Sequence, residues 1–167
     1  MATAKTPMEL FVGLSGVLTG IDAANLAPPL DPVNIKQTYF DTANTNTGSD
    51  FNQLLQIYDA NQTSDPATIA NIVFNQSGTA IKYLARTVML MWYLGAWYAP
   101  QDLQAYDSPT PPPQPINSTV ISADAYTQGW SWRVAQAHPM GFSTFTFGYW
   151  SQDPPSLADF VGTGGQS

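Results

Sequence analysis

Few residues of this chain can do chemistry, and their spacing limits what each can do. Its one histidine, His138, lies in the stretch AHPMGFSTFTFGYW (137–150). As a general base it would need an acid such as Asp124 or Asp153 to orient it, and no nucleophile motif surrounds it. Ser15, in GLSG, has part of a nucleophile elbow, but GxSxG is absent and the serine falls on a helical pattern where an elbow needs a preceding strand. Asp22 with Asp31, or Asp153 with Asp159, could form the carboxylate pair by which a glycosidase protonates a leaving group and activates water. Capping of helix N-termini is the stronger reading for most of these aspartates. His138 likewise reads better as a helix-end residue beside Pro139, which biases it out of helical geometry. The expectation is therefore no catalytic residue, no cofactor and no metal ligand in this chain.

Composition narrows the classes further. There is no cysteine, which excludes disulfides, thiolate nucleophiles and cysteine metal sites, and one histidine cannot build a histidine-rich metal site. No Gly-rich loop follows a strand, so nothing supports nucleotide or flavin binding by this chain. Only 10% of residues are charged and the formal net charge is -7, against about 25% charged in an average domain. Lys5, Lys36, Lys82, Arg86 and Arg133 are scattered, with no stripe to neutralise a run of phosphates, so nucleic acid is not an expected partner. Such a surface, rich in amides and hydroxyls, suits an exported protein or one held inside a complex. The sequons at Asn61, Asn75 and Asn117 are explained by chance in so amide-rich a chain.

The elements that would position these residues are mainly helical, within one domain covering 1–167. Thr6-Pro7-Met8-Glu9 is a capping box with proline at the first helical position, followed by Met8, Phe11, Val12, Ser15 and Leu18 at helical spacing and by Gly20 as terminator. Asp31-Pro32 repeats the cap-plus-proline signal and predicts a helix through Val33, Ile35, Tyr39 and Phe40, ended by ANTNTGS. A further amphipathic face follows with Phe51, Leu54, Leu55 and Tyr58, and Asp65-Pro66 opens a helix through Ile69, Ile72 and Val73. The best buried helix spans about 79–94, with Ile81, Leu84, Ala85, Val88 and Trp92 inward and Lys82 and Arg86 on the solvated strip. SPTPPPQP (108–115) predicts a proline-rich surface loop. Ser122 caps a helix carrying Tyr126, Trp130, Val134 and Ala137 up to Pro139, despite Gly129. FSTFTFGYW alternates as an extended segment would, and 162–167 reads as a disordered tail. The apolar run at 87–98 is shorter than the about 20 residues of a membrane span. LFVGLSGVL (10–18) behind Lys5 resembles the apolar part of a secretory signal, but Glu9 and the capping box favour a folded helix. The fold class expected is mainly α, a bundle of about five or six helices with an irregular, aromatic-rich C-terminal third.

Aromatic residues are in surplus, at 13% of the chain. Trp92, Tyr93, Trp97 and Tyr98 crowd one stretch and cannot all face one core. Trp130 and Trp132 point to different sides of their helix, and Phe142, Phe145, Phe147, Tyr149 and Trp150 follow. Core packing accounts for most of these rings, and the remainder forms an apolar surface of the kind that binds protein. The expected partner-binding residues are Trp92, Tyr93, Trp97, Tyr98, Trp132, Phe142, Phe145, Phe147, Tyr149 and Trp150.

Three blocks carry a resemblance. PMELFVGLSGVLTG, with Phe11, Leu14-Ser15 and Leu18-Thr19-Gly20, resembles the F-x-x-L-S-x-x-L-T-G opening of mature small (gamma) subunits of bacterial FAD-dependent sugar dehydrogenase complexes, those of glucose, fructose and sorbitol. MWYLGAWY resembles their W-Y-x-G segment through Trp92, Tyr93 and Gly95. PMGFSTFTFGYWSQDP resembles their closing block through Pro139, Gly141, Tyr149, Trp150 and Pro154. The blocks fall in the family's order from residue 7 to about 155, while the 108–115 loop looks like an insertion.

The resemblance implies a non-catalytic accessory subunit. It would bind a large FAD-containing catalytic subunit of the glucose-methanol-choline oxidoreductase type, assist its folding, and carry it through the twin-arginine pathway to the periplasm. FAD would sit in that partner, and a cytochrome c subunit would take the electrons onward. The family's precursors usually begin with a twin-arginine leader, which the expectation for an exported chain takes to have been removed. The alternative is a stand-alone periplasmic sugar-binding or scaffold protein whose exposed aromatics stack on pyranose rings.

Overall fold

The N-terminal helix forms where the capping box places it. In the computed structural model, which describes residues 4–112 and 114–140, α1 runs Pro7–Thr19. The Thr6 backbone N–H donates to Glu9 Oε2 at 2.7 Å and the Glu9 N–H donates to Thr6 Oγ1 at 3.2 Å. Gly20, at φ 71°, ends the helix in the left-handed conformation that glycine adopts without steric cost. The face it buries is Leu10, Phe11, Leu14, Ser15 and Leu18, with Met8 packed against its edge. Ile21, 2% exposed, follows directly, and Asp22 accepts from the Ala24 N–H to cap the short α2, Ala23–Leu26.

The second and third amphipathic segments are one assigned helix, α3, Ile35–Asn61, broken in its backbone at Gly48 (φ 39°, ψ −97°). The break falls inside the Asn/Thr-rich stretch, but the residues before it stay helical rather than ending the helix. Their side chains bond back one turn: Thr42 Oγ1 to the Thr38 carbonyl, Asn46 Nδ2 to Thr42, and Thr47 Oγ1 to Ala43. Back-bonding of this kind satisfies the polar side chains without leaving the helix, and it also bends helices. The start is corrected as well. Pro32 lies in a turn and the helix begins at Ile35, behind Asn34 in the left-handed region (φ 52°), with Asp31 Oδ1 accepting from the Ile35 N–H at 3.2 Å.

Asp65 caps α4, Pro66–Asn71, accepting from the Thr68 N–H at 3.0 Å. Ile72 and Val73 then belong to a π-helical turn, Ile72–Gln76, closed by the Ser77 N–H on the Ile72 carbonyl and the Ser77 hydroxyl on the Val73 carbonyl. The central helix α5, Thr79–Leu94, has the predicted bounds and buries Ile81, Leu84, Ala85, Val88, Met91 and Trp92. Lys82 and Arg86 flank its outer side over the Tyr83 ring. The apolar run does not stay helical to residue 98. Gly95 turns the chain at φ 65°, and β1, Ala96–Tyr98, pairs antiparallel with β2, Ser118–Val120, with Trp97 opposite Thr119. Between the strands lie α6, Pro100–Tyr106, and the proline-rich loop, whose described residues from Pro109 to Pro115 are exposed.

The last predicted helix is two. Ser122 caps α7, Ala123–Gln128, by accepting from the Ala125 N–H at 3.0 Å, and Gly129 separates it from α8, Trp130–Val134. A Cβ at Gly129 would lie 2.9 Å from the Tyr93 carbonyl oxygen, so the close approach of this turn to α5 requires glycine there. Ser122→Ala is expected to cost about 1 kcal/mol through the lost cap, read as a lower urea midpoint at unchanged m-value.

Helices α1, α3 and α5 enclose the core. Phe11, Tyr39, Phe51, Leu54, Leu84, Val88 and Met91 are fully buried there. Phe11 lies edge-on to Phe40 and Phe51 at 5.7 Å each and is stacked on Trp92 at 6.1 Å, while Tyr39 meets Trp92 edge-on at 4.8 Å. Buried hydroxyls tie the layers together: Tyr39 donates to the Ala125 carbonyl, and Thr87 donates to the Tyr98 carbonyl at 2.7 Å. The mainly α architecture is as expected, with the small two-stranded sheet added.

Three exposed carboxylates are held below their ordinary range. For Glu9 the Thr6 backbone N–H acts most, for Asp65 the Thr68 hydroxyl, and for Asp107 the Tyr83 hydroxyl followed by Arg86, which sits at 2.8 Å. The folded form therefore binds fewer protons than the unfolded chain near the ordinary carboxylate pKa of about 4. Their contribution is present above that pH and is lost as pH falls through the lowered folded values. Urea midpoints are expected to drop from about pH 4 downward, with a shallower drop for Asp107→Asn. An equal drop in that variant would remove Asp107 from the account.

Candidate functional site

The aromatic residues singled out in the sequence divide by depth. Trp92 does not lie on a surface: it is 2% exposed, wedged between Phe11 and Tyr39, because position 92 falls on the inward stripe of α5. It is a core residue and is removed from the partner-facing set. Tyr93 is half-buried and turns its hydroxyl back to the Thr19 carbonyl at 2.8 Å, joining the ends of α5 and α1. Burial raises its pKa, so it remains a neutral donor.

Trp97 and Tyr98 follow the Gly95 turn on β1. Both are half-buried, and Trp97 packs one side on the core. Trp132 is half-buried too: its Nε1 donates to the Tyr126 carbonyl at 2.9 Å and its ring meets Tyr126 edge-on at 5.4 Å. Trp130, two residues earlier, is 4% exposed with the Arg133 guanidinium 4.6 Å above its ring, so the two tryptophans do take different sides. Phe142, Phe145, Phe147, Tyr149 and Trp150 lie outside the described residues, as do Asp153, Asp159 and the 162–167 segment.

The structure brings Tyr93, the Gly95 turn and Gly129 together at the C-terminal end of α5. Leu94 at the end of α5, Val120 opposite Ala96 on β2, and Val134 at the end of α8 are exposed large apolar side chains, with Val120 at 54%. The most exposed ones were not singled out in the sequence. Leu30, 88% exposed, ends a Pro28-Pro29 turn, and Met140, 80% exposed, follows Pro139. Each is a large apolar residue in a proline-bearing turn with no periodic neighbour, which is the signal that could have marked them. Of the half-buried rings, Tyr93 and Trp132 are each held by a side-chain hydrogen bond to a backbone carbonyl.

Of the candidate catalytic residues, Ser15, Asp22, Asp31 and His138 lie among the described residues and have structural partners. Ser15 lies mid-helix with no exposed surface, far from elbow geometry, and its carbonyl accepts from the Thr19 hydroxyl at 2.7 Å. Asp22 caps α2, and Asp31 Oδ1 accepts from Ile35. His138 is half-buried with Nδ1 3.1 Å from the Pro139 carbonyl oxygen. It is not the helix terminator expected from the sequence, since α8 ends at Val134 and the chain turns at Gln136 (φ 53°). Among the described residues no group of three or more His, Cys, Asp or Glu side chains is placed to hold a metal ion, and no helix is long and apolar enough to cross a membrane. Comparison of this chain with protein-family models, with curated proteins and with solved structures finds no match.

Proposed function

We propose that this chain is a non-catalytic accessory subunit that binds, stabilises and assists the folding and twin-arginine export of a flavin-dependent sugar or alcohol dehydrogenase. The observation that carries the reading is that Trp97, Tyr98 and Trp132 are only half-buried, and Leu94, Val120 and Val134 are exposed, on a chain with 10% charged residues. Few charges and a pre-shaped apolar surface suit a permanent interface, whose burial stabilises the partner by mass action. The three sequence blocks that resemble the sugar-dehydrogenase small subunits supply the identity of that partner: a large FAD-containing subunit of the glucose-methanol-choline type, with a cytochrome c subunit beside it, in the periplasm at the cytoplasmic membrane.

The test is co-purification of the tagged full chain with the flavoprotein dehydrogenase encoded nearest to it. Stoichiometric recovery is expected for the unmodified chain. Val120→Asp and Val134→Asp are expected to reduce it at least about tenfold, the effect of roughly 1.4 kcal/mol, with unchanged circular dichroism. Recovery unaffected by both substitutions would remove this surface from the interface, and no recovery at all would remove the partner.

A further inference from the structure

Helix α6, Pro100–Tyr106, is joined to the rest of the fold at few points. The chain entering it is fixed, because the Thr87 hydroxyl donates to the Tyr98 carbonyl at 2.7 Å. Within the helix only Leu103 is buried, while Gln101, Gln104, Ala105 and Tyr106 are exposed. Leu103 and Tyr83 of α5 are both buried, yet neither belongs to the contiguous core that Phe11, Tyr39 and Trp92 share. Ala99, at the N-cap, makes no side-chain cap. Among the described residues, the hydrogen bonds that tie the stretch from Pro100 to Ser108 to another element meet on one carboxylate. Asp107 Oδ2 accepts from the Tyr83 hydroxyl and from Arg86 Nη1, each at 2.8 Å.

These ties are weak in kind. A helix of 7 residues is well short of the roughly 12–15 at which an isolated helix becomes even marginal in water, so α6 keeps its shape only while docked. The Arg86 and Asp107 side chains are 40% and 47% exposed, and ion pairs so open to solvent hold little. Helices α1, α3 and α5 instead share one buried set of rings and aliphatic side chains. Openings of a native protein range from nearly free, where few apolar contacts are buried, up to global unfolding. The far end leaves α6 slack: the uncharged segment 108–117 separates Asp107 from β2, and a chain spans up to about 3.3 Å per residue.

We propose that α6 is a latched flap. Asp107 holds it shut through Tyr83 and Arg86, and it opens as a unit, with Leu103 leaving its seat against α5, while α1, α3 and α5 stay folded. The open form bares Leu103 and the Tyr83 ring, which is 7% exposed when the flap is shut, and so presents an apolar contact that the closed form lacks. The device is independent of the flavoprotein reading and of the Val120 and Val134 surface.

Native-state hydrogen exchange of the full chain, read by NMR, tests this. The amides of residues 104–107 are expected to exchange at least about a thousandfold faster than those of Leu84 and Val88 in α5. Low urea is expected to leave the α6 rates unchanged and to raise the α5 rates, because a local opening exposes little new surface. Leu103→Ala is expected to speed α6 exchange at least about tenfold, and Asp107→Ala about fivefold. Phe11→Ala is expected to speed α5 exchange at least about a hundredfold and to leave α6 exchange as it was, since the open flap keeps the core intact. Equal rates in α5 and α6, or α6 rates that rise with urea as steeply as those of α5, overturn the proposal. Unchanged α6 exchange in Asp107→Ala removes the latch and overturns it as well. The unmodified chain and its urea dependence decide the outcome should a variant fail to fold.

Discussion

Gly95→Ala is expected to destabilise the fold by about 4 kcal/mol, the sum of a strained left-handed backbone and a side chain forced into occupied space. Gly95 stands at φ 65°, and a Cβ there would run into the Ala125 carbonyl and the Tyr126 nitrogen. Those atoms are backbone and cannot rotate away, so α7 must lift from the end of α5. Lifting it also breaks the Tyr39 hydroxyl bond to the Ala125 carbonyl. Gly20→Ala is the internal control. Gly20 has a similar φ of 71° but nothing within 4 Å of the new methyl group, so only the strain of about 1–2 kcal/mol remains. Urea denaturation of both variants measures the difference. Equal losses would mean that α7 does not seat on α5 as described.

Phe11→Ala is expected to cost about 3–5 kcal/mol, the range for removing a fully buried aromatic side chain, and to lower the thermal midpoint by about 10 °C. Phe11 has no exposed surface and touches Phe40, Phe51 and Trp92, so it joins both halves of α3 to α5. No neighbour can collapse into the space without giving up its own ring contacts. Val12→Ala, one position round the helix and half-buried, is expected to cost about 1 kcal/mol. A Phe11→Ala loss no larger than that would contradict the aromatic core.

What was legible in the sequence was local. Thr6, Asp65 and Ser122 cap helices because a short side-chain oxygen can reach amides two or three residues on, a geometry that needs no knowledge of the rest of the fold. The α5 bounds follow from an apolar stripe ended by glycine. The errors came where tertiary packing overrides such signals. Residues 43–47 look like a helix breaker by composition, yet they stay helical as far as Gly48, with Ala43 buried in the core and the polar side chains bonded to the preceding turn. Trp97 and Tyr98 join a strand because β2 arrives from twenty residues away to pair with them, which no local pattern encodes. Pro100 opens α6 with Leu103 turned inward, a proline-first signal of the same kind as Pro7 and Pro66.

The surface was less legible than the core. Helical spacing places Trp92 inward, and reading it with its aromatic neighbours obscured that. Leu30 and Met140 stand out only by their exposure, which depends on the turns that present them. Asp31, Trp92 and Arg133 line one cavity although they are over a hundred positions apart from first to last, and sequence spacing carries no information about that.

The proposed role is service to a flavoprotein rather than action on a substrate. The most direct measurement is the yield of soluble, FAD-loaded dehydrogenase when the catalytic subunit is expressed with and without this chain in a host with an active twin-arginine pathway. Export and activity of the flavoprotein are expected only with the chain present, and to be reduced when Val120→Asp and Val134→Asp are combined. Equal yield of active, exported flavoprotein in the absence of the chain would contradict the claim.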